Sequence, residues 1–303
     1  MFTLVTFLSH CYNVAAGSLY PLSQSLPVPL CFPLPGAFAN SGQVCSATSR
    51  VLVHADVAEA FCDLLVASAR AKLVVGDPLE GVEEEWEEGS AERVVANLGP
   101  LVSAQQMANV ERMIEAAHAD LRCTALLPVG DQANDGHPLS AWRGKRDPRG
   151  YYVAPQIFKC IPGDNVSSSS SSSSSHSSSD RSSNAGGNEG WPAVWHEEVF
   201  GPVLCVATFH DLDEGVQLAN ASPYGLAHAV FSACPETRAT VSRRVRAGVV
   251  WENCSQAVYP DTPFGGCKQS GFGREYGELG LEEYLHHKTV VTAVDGHMWR
   301  SFG

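Results

Sequence analysis

Segments with the pattern of β-strands alternate along this chain with segments that have the pattern of amphipathic helices. A short β-prone run covers 50–54, and from Asp56 to Lys72 the apolar residues recur at helical spacing, with Asp56 as the expected cap. Ser103 is placed to cap a second helix over 104–119. Two further helices and two further strands are expected downstream, over 211–220, 235–247, 227–232 and 248–251. Such alternation is typical of an α/β domain.

The first 38 residues do not share this pattern. Five prolines between 19 and 36 disfavour a helix and would interrupt a central strand, so we expect a leader with no fold of its own. Residues 1–18 are apolar, but a signal peptide needs a basic start, and no Lys or Arg precedes Arg50. His10 and Asn13 interrupt the same stretch as a membrane span. We assign it neither role.

Three segments have compositions that do not support a packed core. Residues 80–92 are rich in glutamate, 131–149 are polar with Gly and Pro, and 167–183 are almost entirely serine. We expect all three to be exposed loops, with the Ser-rich insertion extending over about 164–190. An insertion of this kind divides the sequence without dividing the fold.

Charge and cysteine usage exclude several function classes. The net charge of −13 argues against nucleic-acid binding, which needs a basic surface. The ten cysteines include no C-x-x-C pair and lie beside no histidine cluster, so the sequence predicts no metal site and no redox dithiol motif. Most of them are expected to be small core residues in a reducing compartment, which the sequence does not identify further.

Cys45 has different surroundings from the other cysteines. It lies in a run of small residues, where a thiol is open to approach and the backbone can come close to a ligand. These are suitable surroundings for a nucleophile. The 49 residues before Arg50 contain no Asp, Glu, Lys or Arg, so no upstream carboxylate in this sequence can act as a base for Cys45. Without further context, a buried structural thiol is the alternative interpretation.

The segment Ser41–Arg50, with Cys45 in the middle, resembles the catalytic-cysteine motif of the NAD(P)-dependent aldehyde dehydrogenase superfamily. The resemblance covers about residues 38 to 292. Within that superfamily, Val249–Gln256 and Cys45–Arg50 are most similar to the plant-type betaine aldehyde and aminoaldehyde dehydrogenases. Further matches follow in the family's order, at Val75–Pro78, Leu98–Ser103, Gly150–Pro155, Glu197–Val203, Leu218–Leu226 and Pro263–Glu275.

The resemblance implies a fold and a covalent chemistry. The fold is an α/β catalytic domain over 39–287, followed by a C-terminal oligomerisation strand and tail over 288–303; the β-prone run that resembles this strand is Leu285–Val294. Cys45 matches the nucleophile, which forms a thiohemiacetal and then a thioester while hydride passes to NAD or NADP. Glu198 and Phe200 match the pair that holds the nicotinamide riboside.

The same resemblance suggests residues for a substrate pocket. Phe38, Val249, Val258 and Phe264 match pocket positions, and the substrate is an aldehyde, for which aminoaldehydes and betaine aldehyde are the candidates. The plant-type enzymes carry a Trp at the positions of Ala39 and Phe264. Since cation–π contacts to a quaternary ammonium are strongest from Trp, these replacements weaken the betaine aldehyde interpretation. The branched Val249 favours a slimmer amine.

The family's Glu-Leu-Gly-Gly-Lys block and the unit that binds adenosine are not found in this sequence. We therefore expect a fragment that does not hold a dinucleotide by itself. The alternative is a catalytically dead homologue that assembles with full-length subunits, and a third possibility is a thiol esterase that uses Cys45 without a cofactor. The expected partners are the small-molecule aldehyde and either copies of this chain or a full-length paralogue, with no nucleic acid, membrane or metal.

Overall fold

The computed structural model describes residues 2–6, 33–79, 82–85, 91–94, 96–127, 149–163 and 190–292. The strands in chain order are β1 (Phe2–Thr6), β2 (Thr48–His54), β3 (Val82–Glu85), β4 (Ala91–Val94), β5 (Cys123–Ala125), β6 (Gln156–Cys160), β7 (Val203–Phe209), β8 (Tyr224–Gly225), β9 (Ala227–Phe231), β10 (Val249–Glu252) and β11 (Cys267–Lys268). The helices are α1 (Pro33–Phe38), α2 (Ala58–Lys72), α3 (Ala104–Ala119), α4 (Ala193–His196), α5 (Leu212–Asn220), α6 (Pro235–Arg244) and α7 (Gly277–Glu282).

A seven-stranded sheet forms the centre of the fold, in the order β10-β9-β1-β2-β7-β6-β5. All neighbouring strands in it run parallel, except that the edge strand β5 is antiparallel to β6. Parallel strands need helical crossovers, which cover both faces of such a sheet. The α/β class predicted from the alternating pattern is confirmed.

Successive residues of the sheet point into two separate apolar clusters. On β2, Val51 and Val53 belong to the cluster beneath α1 and α2, whereas Leu52 belongs to the cluster beneath α3, α4, α5 and α6. Phe61 and Leu65 of α2 are fully buried in the first cluster. Each such side chain contributes about 1.5–3 kcal/mol of burial free energy. The sheet is thus anchored on both faces.

Several helix boundaries follow from the sequence as expected. Ser103 caps α3, and its side chain accepts a hydrogen bond from the backbone N–H of Gln106 at 3.2 Å. Asp211 caps α5 in the same way, accepting from Glu214 N–H at 2.9 Å. The expectation that Asp56 caps α2 is wrong. A 3₁₀ turn over Ala55–Val57 comes first, and the ring of His54 accepts from Asp56 N–H at its start.

The leader contributes two elements that the sequence did not predict. β1 lies between β2 and β9, parallel to both, so it is a central strand of the sheet. α1 begins at Pro33 and contains Pro35, although prolines were expected to prevent a helix there. Both prolines lie in the first turn, where the missing N–H groups have no helical partner to lose. The division into a leader and a catalytic domain stays a prediction.

The acidic segment 80–92 was expected to be a loop, and that expectation is wrong in part. β3 and β4 form an antiparallel pair in which Glu83 lies opposite Arg93 in the register. The count of glutamates alone did not reveal this strand pair. The other two expected loops lie almost wholly outside the described residues, 131–148 and 167–183 among them.

The C-terminal segment shows no strand within 285–292, the described part of the run predicted to pair with a partner. Leu285, Val290 and Val291 are exposed there. Pairing with a second subunit stays a prediction. In the part of the chain that the structure describes, no helix is both long enough and apolar enough to span a bilayer.

Candidate active site around Cys45

Cys45 lies in a loop whose backbone takes an unusual course. The three residues Asn40, Ser41 and Gly42 all have positive φ, at 50°, 56° and 76°. Left-handed conformations at two consecutive non-glycine residues are costly and persist only where the surroundings enforce them. The turn leaves the Cys45 side chain exposed, immediately before β2 enters the sheet. The open setting predicted for this thiol is therefore found.

The side chains of Ser41 and Gln43 attach the cysteine loop to the segment Leu98–Ser103 by hydrogen bonds. The hydroxyl of Ser41 donates a hydrogen bond to the carbonyl of Gly99 at 2.7 Å. The side-chain oxygen of Gln43 accepts from the backbone N–H of Val102 at 2.9 Å. Gly99 and Val102 belong to the Leu98–Ser103 segment, one of the sequence matches described above. The function of that segment here is to fix the conformation of the cysteine loop.

Backbone contacts also join the matched segments Val75–Pro78 and Gly150–Pro155 to Leu98–Ser103, and Glu197–Val203 to the residue that follows Gly150–Pro155. Val75 and Leu98 form a parallel bridge, which joins two of the segments. The N–H of Leu101 donates to the carbonyl of Tyr151 at 2.9 Å, and the N–H of Gln156 donates to the carbonyl of Pro202 at 2.9 Å. The bridge and the hydrogen bonds thus link segments that lie far apart in the sequence.

A small, solvent-open cleft lies beside the cysteine loop. Its walls come from two stretches, the loop and the start of β2 on one side and the segment before β7 on the other. The residues that line it are Ala37, Gly42, Val44, Ala47, Thr48, Ser49, Glu198, Val199, Phe200, Gly201 and Val203. The structure therefore places Glu198 and Phe200 in a cleft whose other wall includes Val44 and Ala47, one residue before and two residues after Cys45, which does not itself line the cleft.

The segment that carries Glu198 and Phe200 is held by α3. The side-chain amide of Gln106 donates to the carbonyls of Val199 at 3.2 Å and Phe200 at 2.9 Å. Phe200 has a φ of 52° and is 38 % exposed, although it is a large aromatic residue. A partly exposed aromatic residue that lines a cleft offers apolar surface to a flat ligand.

Arg50, at the end of the segment Ser41–Arg50, contacts α4, the short helix that precedes Glu198. Its side chain is 1 % exposed, and its guanidinium lies 5.6 Å from the ring centroid of Trp195, a cation–π arrangement. Burial lowers the pKa of Arg50 to about 10. Because Trp195 comes three residues before Glu198, this contact fixes one wall of the cleft relative to the other.

Gln256 holds the residue that follows the proposed nucleophile. Its side-chain oxygen accepts a hydrogen bond from the hydroxyl of Ser46 at 2.8 Å, and its amide nitrogen donates to the carbonyl of Ser46. Gln256 itself has a φ of 63°, so its backbone is also strained. A two-point contact of this kind restricts both the main chain and the side chain of Ser46.

The residues predicted for a substrate pocket are distributed less tightly. Phe38 is buried in the cluster beneath α1 and α2, and Val249 and Phe264 pack partly buried against that same cluster. Val258 is 45 % exposed. Phe264 also forms a bridge to Glu275 through two backbone hydrogen bonds, at 2.8 and 2.7 Å. Their assignment to a substrate pocket stays a prediction.

The remaining cysteines have mixed surroundings. Among the eight in the described residues, Cys62, Cys160 and Cys205 are buried, and Cys45 is exposed. The other four are half-buried, and two of them, Cys123 and Cys254, pack against the apolar clusters, so most of the described cysteines have the expected core setting. Within the described ranges, no group of three or more His, Cys, Asp or Glu side chains is arranged to hold a metal ion.

Sequence reasoning missed the residues that position the site. Ser41, Gln43, Gln106 and Gln256 act through contacts to backbone atoms far along the chain, and no spacing rule predicts them. The signal that was available is local. Polar side chains at Ser41 and Gln43 next to Gly42 indicate a hydrogen-bonded turn rather than a helix.

Comparison with known proteins agrees with this geometry. A profile described as "Aldehyde dehydrogenase family" matches residues 33–167 and 192–290. The betaine aldehyde dehydrogenase of Beta vulgaris chloroplasts is 36 % identical over 264 residues, which are 87 % of this chain and 42 % of that protein. Betaine aldehyde dehydrogenase 1 of Oryza sativa subsp. japonica is 38 % identical, over 84 % of this chain and 40 % of that protein. Aminoaldehyde dehydrogenase 2 of Zea mays is 36 % identical, over 87 % and 42 %.

Solved structures give the same result. The betaine aldehyde dehydrogenase of Staphylococcus aureus, determined in complex with NAD+, aligns with a TM-score of 0.63 at 27 % identity. The alignment covers 93 % of this chain and 43 % of that one. An aldehyde dehydrogenase of Bacillus cereus aligns with a TM-score of 0.65 at 26 % identity, over 93 % and 43 %. The chain thus spans about two-fifths of the length of the curated relatives that it matches.

Proposed function

Because the chain belongs to the aldehyde dehydrogenase family, we propose that its site serves the oxidation of an aldehyde to the acid, with Cys45 as nucleophile and NAD or NADP as cofactor. One observation carries this proposal. An exposed thiol follows a strained loop, and the residues around it share a cleft with Glu198 and Phe200. A lone structural cysteine would not need three consecutive left-handed residues to support it.

Cys45 carries the covalent chemistry in this proposal. Its thiolate attacks the aldehyde carbon, a carbon–sulfur bond forms, and the carbonyl oxygen becomes an oxyanion. The backbone N–H of Cys45 is one donor that can stabilise that oxyanion. The contacts of Ser41, Gln43 and Gln256 keep the backbone around Cys45 in place while charge develops. Such preorganisation is where much of the catalytic effect of an active site arises.

The residues of the cleft fit the nicotinamide riboside part of a dinucleotide. Glu198 offers a carboxylate that can accept hydrogen bonds from ribose hydroxyls, and Phe200 offers partly exposed aromatic surface for a flat heterocycle. When bound, NAD or NADP supplies the hydride acceptor. Among the described lining residues Glu198 is the only carboxylate, and the proposal gives it to the ribose. A base for thioester hydrolysis therefore has to come from outside the lining of this cleft.

The substrate class we infer is an aldehyde with an amino group. The names of the plant relatives support it, as does the match of Val249–Gln256 to them. Phe264 in place of Trp offers a weaker cation–π surface, and Val249 narrows the space for a bulky head group. We therefore expect an ω-aminoaldehyde to be preferred over betaine aldehyde.

Turnover measured by NADH absorbance tests the proposal. The chain, alone and mixed with a full-length plant-type relative, is supplied with NAD+ and 4-aminobutyraldehyde or betaine aldehyde. We expect any turnover that this chain contributes to disappear in Cys45→Ala. Turnover that survives in that variant would contradict the role of Cys45, and a preference for betaine aldehyde would contradict the substrate inference.

A second candidate function is a non-catalytic subunit. The exposed apolar residues Leu285, Val290 and Val291 favour it, since exposed apolar side chains close together in the chain are typical of a surface that another chain covers. Light scattering of the chain with and without a full-length relative, together with NAD+ titration, separates the two functions. Mixed oligomers without NAD+ binding by this chain favour the subunit role, whereas NAD+ binding by the chain favours the enzyme.

A further inference from the structure

Cys123 and Cys160 face each other across the edge of the main sheet, away from the site of Cys45. Cys123 lies on the edge strand β5 and is directly opposite Cys160 of β6 in the register. Their Sγ atoms are 4.0 Å apart. Neither residue has a function in the proposed reaction, so the pair needs a separate explanation.

The hydrogen-bond pattern shows which kind of cross-strand pair this is. The N–H of Ile161 donates to the carbonyl of Arg122 at 3.0 Å, and the N–H of Leu126 donates to the carbonyl of Ile157 at 2.8 Å. Hydrogen-bonded and non-hydrogen-bonded pairs alternate in an antiparallel ladder. The pair Cys123–Cys160, next to the Arg122–Ile161 pair, is therefore a non-hydrogen-bonded one.

Non-hydrogen-bonded pairs bring the two side chains closest together. Their Cα atoms lie about 4.5 Å apart, which is inside the range of about 4.4–6.8 Å seen for disulfides. To bond, the two sulfur atoms must approach by about 2 Å, to a length of about 2.05 Å. Because β5 is an edge strand of only three residues, it can adjust more readily than a central strand.

Access to the pair is one-sided. Cys123 is half-buried, whereas Cys160 is 1 % exposed and also lies close to Cys205 on β7. A soluble oxidant can therefore reach Cys123 first. Cys160 is then the thiol that can close the bond from within.

We propose that Cys123 and Cys160 are a site of reversible oxidation, forming an intramolecular disulfide when the chain meets a peroxide. With hydrogen peroxide, the sulfur of Cys123 attacks one peroxide oxygen, the O–O bond breaks, and a sulfenic acid and water form. The sulfur of Cys160 then attacks the sulfenic sulfur and displaces the oxygen as a second water. The two thiols lose two electrons and two protons, and the peroxide is reduced to two waters.

The groups around Cys123 and Cys160 determine how fast the two thiols are oxidised. The hydrogen bond with Cys160, followed by burial, raises the pKa of the Cys123 thiol well above its ordinary value. For Cys160, the hydrogen bond with Cys123 lowers the pKa, but the contact with Cys205 and burial raise it by more. The charged groups nearby are Asp120 and Arg122, at the start of β5. Since the thiolate is the reactive form, oxidation is slow at neutral pH and accelerates as the pH rises.

Peptide mapping of the wild-type chain tests the proposal directly. Arg122 and Lys159 precede the two cysteines, so trypsin releases Cys123–Arg143 and Cys160–Arg181, with one cysteine each. The chain is treated with hydrogen peroxide or with dithiothreitol, alkylated and digested. The expected product after peroxide is a crosslinked species of these two peptides, formed faster at pH 9 than at pH 7 and absent after dithiothreitol. Recovery of both peptides fully alkylated, or a link between Cys160 and Cys205, would overturn the proposal.

Thermal unfolding provides an independent readout. A disulfide between Cys123 and Cys160 closes the loop 124–159, and constraining a loop of this length raises Tm by roughly 5 °C or more. The shift on peroxide treatment should vanish in Cys123→Ser and in Cys160→Ser. Cys234→Ser is the matched control, because Cys234 is also half-buried but faces Glu236 rather than a thiol. A shift that persists in the first two variants, or that is lost in the control, would contradict the assignment.

Discussion

A β-carbon added at Gly42 would lie 2.0 Å from the carbonyl oxygen of Gly201, so the backbones of these two residues are in direct contact. Gly42 precedes Cys45 by three residues, and Gly201 follows Phe200. The contact therefore sets the distance between the loop of the proposed nucleophile and the segment proposed to hold the nicotinamide. A β-carbon at Gly201 would instead meet the side chain of Val110 on α3, at 2.6 Å.

Gly42→Ala is expected to lower both stability and activity. The φ of Gly42 is 76°, where an alanine is strained, and the added methyl group would meet backbone that cannot rotate away. We expect a loss of more than about 2 kcal/mol of unfolding free energy, from strain together with the clash. Urea denaturation measures the stability, and the rate of alkylation at Cys45 reports the position of the loop.

Gly271→Ala is the matched control for that substitution. Gly271 has a φ of 111°, but nothing lies within 4 Å of a β-carbon built there. Gly271→Ala has the backbone strain without the clash. We expect it to lower the free energy of unfolding by about 1 kcal/mol. Equal losses in the two variants would show that the contact between Gly42 and Gly201 does not matter.

Gln256→Leu is expected to change the reactivity of Cys45 through Ser46, the next residue in the chain. The substitution keeps a similar shape but removes both hydrogen bonds to Ser46. We expect a loss of about 1–3 kcal/mol of stability and a changed rate of alkylation at Cys45. Ser46→Ala, which removes only the hydroxyl contact, should have a smaller effect. Because the two residues share one contact, the double variant should cost less than the sum of the single ones.

Gln106→Ala tests whether α3 positions the cofactor segment. Without its amide, the carbonyls of Val199 and Phe200 lose their donor, and the segment with Glu198 should loosen. In an assembly that turns over, we expect the KM for NAD+ to rise several-fold with a smaller change in kcat. Gln105→Ala is the control, since Gln105 lies on the same helix and its amide donates to Asn109, another residue of that helix, at 3.3 Å. Similar effects in both variants would indicate general loss of helix stability.

Asp120 is expected to contribute a small acid-sensitive part of the stability. Its carboxylate accepts two hydrogen bonds from the guanidinium of Arg122, at 2.8 and 2.6 Å, and this contact lowers the pKa of Asp120. A lowered pKa means that the stabilisation is complete above the unfolded value of about 4 and is lost as the pH falls through the folded value. Both side chains are partly exposed, at 21 % and 36 %, so the contribution stays under about 1 kcal/mol.

Asp120→Asn should therefore differ from the wild-type chain at pH 7 and match it at pH 2 in denaturant titrations. Asp213→Asn is the comparison, because Asp213 pairs with Arg244 at the same 2.6 Å but is 71 % exposed. Asp213→Asn should change the free energy of unfolding little at pH 7 and at pH 2. A difference for Asp120→Asn that grows as the pH falls would contradict the sign of the effect.

The sequence predicted those parts of the fold that depend on local signals. The bounds of α3 follow from the cap at Ser103 and the helical spacing after it. β1 was not predicted, because its place between β2 and β9 depends on pairing with residues far along the chain. The helix at Pro33 was excluded by counting prolines, whereas their position within the first turn decided the outcome.

In the candidate site, too, local features were predictable from the sequence and long-range contacts were not. The exposure of Cys45 follows from the small residues around it, and its neighbourhood with Glu198 and Phe200 follows from the family resemblance. The contact between Ser46 and Gln256 spans 210 positions, and no local pattern indicates it. Contacts of this kind are fixed by the tertiary structure and were visible only there.

Acylation of the chain by 4-nitrophenyl acetate tests the central claim, that Cys45 is the nucleophile of this site, and it needs no cofactor. Tandem mass spectrometry of the digested chain locates the acetyl group. The account predicts rapid acetylation at Cys45, ahead of every other cysteine, and its absence in Cys45→Ala. Acetylation spread over several cysteines, at a rate unchanged in that variant, would contradict the account.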